Sequence, residues 1–354
     1  MAIINDPTAY FQTEIYTGNG SDGRTITLSA NTDMQPDFVW IKNRGQTDNH
    51  ALFDAVRGAN KYLQSSGNIA EIDQPSSGYV SGFVSDGFTV TSGSFADDNV
   101  NKNTETYVSW NWKAGGTASS NTDGSITSSV SANQDAGFSI VSWSGTGSNG
   151  TIGHGLGSAP QVVLLKERNG TNNWLMSHQP LSASLGDYTR FITLNSTGAV
   201  SGAGNVVFQN SAFTSSVFNV GTSVGSNRSG GTYIAYCFAE KQGYSKFGSY
   251  TGNGSTDGTF VYTGFKPAFV IFKNTTNTNN WSIRDNKRDS FNAGDSNLFA
   301  NLSDAESSSN DIDFLSNGFK LRNAGGNWNT SGNTYIYMAF AEEPLVGDNP
   351  ATAR

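Results

Sequence analysis

A short apolar segment that occurs three times constrains this chain more than any other feature. Each copy has a proline, one variable residue, four consecutive apolar residues and a lysine, and the copies span residues 36–42, 160–166 and 267–273. Four apolar residues in a row leave no face of a strand for water, so each copy predicts a short strand buried on both faces. The proline has no N–H to give to a strand ladder, which fits its place before the strand.

Other segments repeat at nearly the same spacing. A loop rich in Gly and Asn at residues 16–23 returns at 143–150 and 250–258, with the Asn-Gly and Asp-Gly pairs typical of hairpin turns. Residues 49–54, 173–178 and 280–285 predict a second strand that pairs with the buried one. Each copy closes with an aromatic strand, at 107–112, 233–238 and 335–340, whose larger side chains alternate onto one predicted core face.

These repeats predict an all-β chain made of three tandem antiparallel β-sandwich repeats, with jelly-roll or lectin-like topology. The first repeat is placed at residues 1–115, the second at 138–243 and the third at 244–345. Residues 116–137, which are rich in Ser, Thr, Gly and Asn, are predicted to be a flexible linker, and residues 346–354 a C-terminal tail. A closed barrel remains the alternative for each repeat.

Composition and charge argue against several function classes. The formal net charge is −8, which disfavours nucleic-acid binding and docking on an anionic membrane. No apolar run approaches the roughly 20 residues of a membrane span, and the N-terminus lacks a signal-peptide pattern. Cys237 is the single cysteine, so no intrachain disulfide can form. We therefore expect a protein that is made and soluble in a cytoplasm.

The residues that usually carry chemistry do not form a recognisable motif. His50, His154 and His178 have no metal-ligand spacing, and serine occurs without a nucleophile elbow. Asp54, His178 and Asp285 share one repeat position, which predicts a solvent-facing strand residue rather than a catalytic group. Cys237 fits a packed thiol. The sequence thus predicts no catalytic residue, no cofactor and no metal, and a protein that is not an enzyme; a calcium site of loop Asp and Asn residues stays open.

Glycan binding is the remaining chemical hypothesis. Sugars stack on exposed aromatic rings and form hydrogen bonds with polar side chains. Trp174 and Trp281 recur at one repeat position and are predicted to be core. Trp328, which has polar neighbours on both sides, is the best exposed candidate, and Asn327 and Asn329 are the candidate polar contacts.

Several phrases together resemble a family of uncharacterised repeat domains in virion structural proteins of marine bacteriophages. The matching segments are residues 16–20, 36–44, 52–58, 85–88 and 110–116. The resemblance implies a non-enzymatic virion structural protein, an external tail fibre, tail-tip or surface appendage that contacts the host surface or its glycans. It implies other virion proteins and host polysaccharide as partners, a homotrimer, and a virion location after assembly in host cytoplasm. A capsid decoration protein is the alternative, and a glycan depolymerase ranks third.

Overall fold

The computed structural model describes residues 4–93, 99–202 and 204–344, except for the side chain of Asn310. Within these residues the chain is built of antiparallel sheets, with two short α-helices and one 3-10 turn, Pro7–Ala9. The all-β prediction is confirmed. The jelly-roll or lectin-like topology is not.

The strands fall into three consecutive sets, which we call units 1, 2 and 3. Unit 1 contains β1 (Phe11–Thr17), β2 (Arg24–Thr27), β3 (Phe38–Asn43), β4 (Ala51–Asp54), β5 (Gly58–Leu63), β6 (Ile72–Asp73), β7 (Tyr79–Val84), β8 (Gly87–Thr91) and β9 (Thr106–Trp112). Unit 2 contains β10 (Ser119–Asn121), β11 (Ser128–Asn133), β12 (Phe138–Ser144), β13 (Gly150–Gly153), β14 (Val162–Glu167), β15 (Leu175–His178), α1 (Gln179–Leu185), β16 (Arg190–Thr193), β17 (Ser201–Gly202), β18 (Val217–Val220), α2 (Val224–Asn227) and β19 (Thr232–Phe238). Unit 3 contains β20 (Ser245–Thr251), β21 (Phe260–Tyr262), β22 (Phe265–Asn274), β23 (Trp281–Asp285), β24 (Gly294–Phe299), β25 (Ser307–Leu315), β26 (Gly318–Leu321) and β27 (Thr334–Pro344).

The proline-led strand has the same neighbours in every unit. β3 lies between the closing strand β9 and the hairpin strand β4, β14 lies between β19 and β15, and β22 lies between β27 and β23. The register is also the same, so that Val39, Val163 and Val270 occupy one equivalent position. All three are fully buried. The repeat in sequence is therefore a repeat in strand pairing.

One face of each proline-led strand packs inside its own unit. In unit 1, Val39 and Ile41 join an apolar cluster with Ile26, Phe88 and Val90 of the smaller sheet β2–β8–β7. Equivalent clusters fill units 2 and 3. In unit 3 a single eight-stranded ladder runs from β20 to β21 and curls nearly into a barrel, so it supplies both layers.

The opposite face of each main sheet is also buried, because the three units share one central apolar cluster. The predicted core face of the closing strands lies here rather than inside the units. The largest members of the cluster are Phe38, Trp40, Trp110, Trp112, Trp174, Tyr236, Phe238, Phe269, Trp281 and Phe340. The centre leaves a void of only about 20 Å³, lined by apolar residues. The middle of the molecule is thus a packed core.

The predicted flexible linker over residues 116–137 is wrong. β10 and β11 lie in this stretch and extend the main sheet of unit 2 by pairing in turn with β12. Ile126 and Val130 point into the unit 2 cluster, and Ala136 reaches the central cluster. The Ser and Thr residues between them suit the outward face of strands at a sheet edge, which composition alone does not separate from a linker.

Helix α1 has start and stop signals in the sequence. The Nδ1 atom of His178 accepts a hydrogen bond from the N–H of Leu181 at 3.3 Å, and Pro180 stands in the first turn. Gly186 ends the helix in the left-handed region, with φ of 65°. The helix follows β15 directly and its Leu181 enters the central cluster.

Candidate functional site

The predicted glycan contacts do not form one exposed platform. Asn329 is fully buried, so its side chain is not open to a ligand. Asn327 is half-buried and accepts a hydrogen bond from the N–H of Asn280 at 3.1 Å. Trp328 is half-buried against the unit 3 cluster, and its carbonyl accepts a hydrogen bond from the Tyr250 hydroxyl at 2.7 Å.

Asn329 instead belongs to a set of three internal clamps. Asn101, Asn227 and Asn329 each stand six residues before the closing tyrosine of their unit, and each holds the Gly-rich loop of that unit. The amide Nδ2 atoms donate to loop carbonyls at 2.8, 2.6 and 2.8 Å, which belong to Ser21, Ser148 and Ser255. The Oδ1 atoms accept from loop N–H groups at 3.1, 3.0 and 3.0 Å, which belong to Asn19, Thr146 and Asn253. The six-residue offset is the sequence signal that would have found these residues.

A second set of equivalent residues reaches from each unit into a neighbour. His50 Nε2 lies 3.0 Å from the carbonyl of Phe299 in unit 3. Trp174 Nε1 donates to the carbonyl of Gln64 in unit 1 at 2.7 Å, and Trp281 Nε1 donates to that of Thr193 in unit 2 at 3.0 Å. Unit 1 thus contacts unit 3, unit 3 contacts unit 2 and unit 2 contacts unit 1. The chain is a closed ring with an approximate threefold axis. The prediction that Trp174 and Trp281 are core residues is confirmed.

The boundary between units 1 and 2 holds a network of buried charges. The carboxylate of Asp54 accepts hydrogen bonds from Arg57 of its own unit and, at 2.7 Å, from the hydroxyl of Tyr236. Arg168 of unit 2 forms two hydrogen bonds with Glu71 of unit 1, at 2.9 and 2.8 Å. Burial disfavours ionised Glu71, but the hydrogen bonds and charges of the two arginines outweigh it and lower the pKa of this carboxyl.

The boundary between units 3 and 1 repeats this network with equivalent residues. Asp285 Oδ2 accepts hydrogen bonds from Arg288 at 2.6 Å and from the indole of Trp110 at 3.0 Å. Arg44 of unit 1 forms two hydrogen bonds with Glu306 of unit 3, at 3.0 and 2.7 Å. Burial again opposes ionisation of Glu306, yet Arg44 and Arg288 lower its pKa.

The third boundary, between units 2 and 3, has the same backbone contact but little charge. The backbone N–H of Val200 donates to the carbonyl of Thr275 at 3.0 Å. At the other two boundaries the backbone N–H of Glu71 donates to the carbonyl of Arg168 at 2.7 Å, and that of Glu306 donates to the carbonyl of Arg44 at 2.8 Å. His178 replaces the aspartate and Leu181 replaces the arginine. Burial lowers the pKa of His178 to about 4, and its Nε2 lies 3.5 Å from the carbonyl of Tyr337.

These boundaries correct one sequence prediction. Asp54, His178 and Asp285, which were expected to face solvent, are buried between units. An acid stands at two boundaries and an imidazole at the third because their partners differ: Asp54 and Asp285 each pair with an arginine, whereas His178 has Leu181 at that place.

The lysine that ends each proline-led strand is also buried. Lys42, Lys166 and Lys273 donate to the carbonyl of the following residue, at 2.6, 2.7 and 2.6 Å. Each also donates to a second carbonyl at 3.0 to 3.1 Å, which belongs to Gln46, Gly170 and Thr197 respectively. Burial lowers the pKa of each lysine to about 8. The ammonium groups therefore tie loops down, and that of Lys273 ties unit 3 to unit 2.

Chemical groups of other kinds are buried or dispersed. Cys237 lies in the unit 2 cluster, and burial raises the pKa of its thiol. In the part of the chain that the structure describes, no group of three or more His, Cys, Asp or Glu residues is placed to hold a metal ion. No helix among the described residues is long and apolar enough to cross a bilayer. The polar networks that join different units lie at the unit boundaries, where they hold the ring together.

A model of the family described as "Domain of unknown function (DUF7483)" matches residues 6–344. The match spans all three units, so the ring as a whole corresponds to the family's domain. A search of curated proteins found no match.

Proposed function

We propose that this chain, which belongs to the DUF7483 family, is a non-enzymatic structural protein on the exterior of a bacteriophage virion. In this proposal it serves as a tail fibre, tail-tip or surface appendage that contacts the host surface or its glycans. It is made in host cytoplasm, joins the virion and binds other virion proteins.

The observation that carries the proposal is the closed ring with one central apolar core. Three units locked by shared burial and by two ion-pair networks make a rigid body. Its Gly- and Asn-rich loops are held in place by Asn101, Asn227 and Asn329, so they are presented without large conformational freedom. A rigid β body with fixed loops is suited to binding at a particle surface.

We further propose that the three units are copies of one β-sandwich, which arose by duplication within the gene. The shared register of the proline-led strand, its closing strand and its hairpin strand supports this origin. The resemblance implies a homotrimer, but one chain already supplies three units around an axis. We therefore propose that the chain is a monomer. Light scattering of the purified chain tests this point, and we expect the mass of a single chain.

Virion composition tests the main proposal. We expect the protein in mass spectra of gradient-purified particles, and we expect antibody against the folded chain to label intact particles in immunogold images. Its absence from purified particles would overturn the proposal. Labelling only after particles are disrupted would overturn the exterior location.

The approximate threefold axis favours capsid decoration as a second candidate. Icosahedral shells present threefold positions, and a ring of three units could seat one chain at each position. Cryo-electron microscopy of the particle separates the two candidates. Density for the ring at threefold positions of the head supports decoration, whereas density confined to the tail supports the appendage.

A further inference from the structure

Unit 3 exposes two aromatic rings side by side on a sheet edge. Phe260 and Tyr262 are 43% and 57% exposed, and they flank Val261, which is buried in the unit 3 cluster. They lie on β21, the last strand of the unit 3 ladder. Side chains two residues apart on a strand share a face at about 7 Å, so both rings stand on the outer surface.

The fold does not require aromatic residues at these two positions. β2 of unit 1 pairs with β8 in the register that β21 has with β26, with Ile26 opposite Phe88 as Val261 is opposite Phe319. The residues equivalent to Phe260 and Tyr262 are Thr25 and Thr27 in unit 1, and Thr151 and Gly153 in unit 2. The exposed rings are therefore a property of unit 3 alone.

The surface around the rings is polar and electrically balanced. Lys320, which lies opposite Phe260 on β26, forms an ion pair with Asp257 at 2.6 Å. Arg322 forms an ion pair with Asp313 at 2.5 Å. Two cations and two anions thus border the rings with no net local charge, in a chain whose formal charge is −8.

This combination points to a neutral sugar chain as the occupant. The C–H faces of a pyranose pack on aromatic rings, while its hydroxyls exchange hydrogen bonds with charged side chains at the rim. A balanced rim complements neither an acidic nor a basic polymer. A second copy of the chain is a poorer match, because a three-residue edge strand bordered by charges disfavours strand pairing.

We propose that Phe260 and Tyr262 form a stacking platform for a neutral hexose polysaccharide, with Lys320 and Asp257 as its hydrogen-bonding rim. The inference deepens the proposed contact with host glycans and rests on it for its biological setting. It places that contact on β21 rather than on Asn329, which is buried.

Affinity electrophoresis of the full chain tests the platform. The probes are gels that contain dextran, laminarin or galactomannan, with alginate as the acidic comparison. The test variant is Phe260→Thr with Tyr262→Thr, which installs the residues that unit 1 carries. The control variant is Leu185→Thr with Val224→Thr, which removes exposed apolar residues of unit 2 instead.

We expect at least one neutral polysaccharide to retard the native chain and the control equally. The test variant should lose about tenfold in affinity, since each ring contributes a stacking contact. Retardation should persist when NaCl is raised from about 0.05 to about 0.5 M, because the contact is not between net charges. The platform is wrong if no neutral polymer retards the chain, if the test variant matches the native chain, or if only alginate binds. These outcomes are separate from virion composition, so either proposal can fail alone.

Discussion

His50 is fixed in one neutral tautomer by its two partners. The indole N–H of Trp40 can only donate, and it lies 2.8 Å from Nδ1, so Nδ1 must accept. Nε2 therefore carries the proton and donates it to the carbonyl of Phe299 in unit 3. A second proton would place an N–H against the Trp40 N–H in a fully buried site. Burial, together with the charge of Lys42, accordingly holds the pKa of His50 well below its usual value.

The lowered pKa values of the three histidines predict that the folded chain loses stability in mild acid. Burial lowers the pKa of His50, His154 and His178 in the folded chain, while the unfolded chain titrates near pH 6.5. Below about pH 6.5 the unfolded chain binds protons that the folded chain does not, so the free energy of unfolding falls as pH falls. The expected slope is about 1.4 kcal/mol per pH unit for each histidine that stays neutral. Urea denaturation at several values between pH 7 and 5 measures it.

His178→Asn provides the control for this slope. Asparagine caps helix N-termini well, so α1 keeps its cap while one titrating group is removed. The variant should lose about one histidine's share of the slope. Glu71 and Glu306 have lowered pKa values and contribute only in stronger acid. A free energy of unfolding that does not change between pH 7 and 5 would contradict the prediction.

Some residue roles could be predicted from sequence and others could not. The burial of Val39, Val163 and Val270 follows from a run of apolar residues, which has one physical meaning in a strand. The polar neighbours of Asn329 in the sequence predict a surface residue, but Asn329 is buried. Its role depends on a loop that lies 74 to 76 residues earlier in the sequence, and only the offset shared with Asn101 and Asn227 indicates it.

At the scale of elements, two surfaces of each unit determine how the ring closes. Surface A carries Arg44 and Trp110 in unit 1, Arg168 and Tyr236 in unit 2, and Thr275 and Met338 in unit 3. Surface B carries Asp54, Arg57 and Glu71 in unit 1, His178, Leu181 and Val200 in unit 2, and Asp285, Arg288 and Glu306 in unit 3. Surface A of units 2 and 3 contacts surface B of the preceding unit, and surface A of unit 1 contacts surface B of unit 3, which closes the ring; charged surfaces meet only charged ones.

The opposite cyclic order would mismatch these surfaces. Arg44 would face Leu181 and Val200, and Thr275 would face the carboxylate of Glu71. An arginine without its acid and an acid without its arginine are both costly when buried. The charge pattern therefore specifies one order of units around the axis, in addition to holding them.

Breaking a charged boundary should cost more than breaking a surface pair. Asp54→Asn and Asp285→Asn each remove one of the two carboxylates that pair with a buried arginine, while Glu71 or Glu306 remains, and we expect about 2–3 kcal/mol of destabilisation. Asp73→Asn is the matched control, because its pair with Lys61 is solvent-exposed and should contribute under about 1 kcal/mol. Urea denaturation at pH 7.5 measures all three. Equal effects for buried and exposed sites would show that the networks add nothing.

The uncharged boundary can be converted into a charged one. Val200→Glu and Thr275→Arg install the residues found at the other two boundaries, where the backbone contact is already the same. Each single change should destabilise the chain, and the pair should recover about 1 kcal/mol or more relative to their sum. Val200→Glu with Thr276→Arg is the control, since Thr276 is exposed beside the same contact. Additive effects in the first pair would contradict the equivalence of the three boundaries.

The sequence predicts the central strands of each sheet better than the strands at the sheet edge. Hairpin turns and alternating side chains identify β3, β4 and β9 and their equivalents. The composition of β10 and β11 predicts a linker instead, because edge strands with one solvated face are as rich in Ser and Thr as a linker is. The sequence does not predict helix α1, although Pro180 stands in its first turn and Gly186 follows its end, since seven residues are too few to show a helical period.

At the scale of the whole molecule, the fully apolar strand has a further consequence. A strand buried on both faces needs a cover on each face, and the sequence predicted the burial without identifying the second cover. In units 1 and 2 a smaller sheet supplies one cover, in unit 3 the curled ladder itself supplies it, and the other two units supply the second cover. An apolar run cannot indicate whether its cover comes from its own repeat or from a neighbour, which is why the sequence predicts three tandem sandwich repeats but not the ring that they form.

Trp112 shows how closely the units depend on one another. Its ring lies 5.3 Å from Phe38 of its own unit and 5.7 and 5.6 Å from Phe269 and Phe340 of unit 3, between ring centres. Phe238 of unit 2 lies at 6.5 Å. A unit that unfolded alone would expose this face on both of its neighbours.

We therefore expect the chain to unfold in one cooperative transition. Calorimetric and van't Hoff enthalpies should agree, as they do for a two-state domain. Phe88→Ala, in the cluster private to unit 1, should cost about 3–5 kcal/mol and lower the hydrogen-exchange protection of β19 and β27 by the same amount. Modules joined in series would instead show protection lost in unit 1 only, with separate transitions for units 2 and 3. Within the described residues the Phe88 cluster contains none from β19 or β27, so an equal loss in both would reach them through the shared core and the unit boundaries.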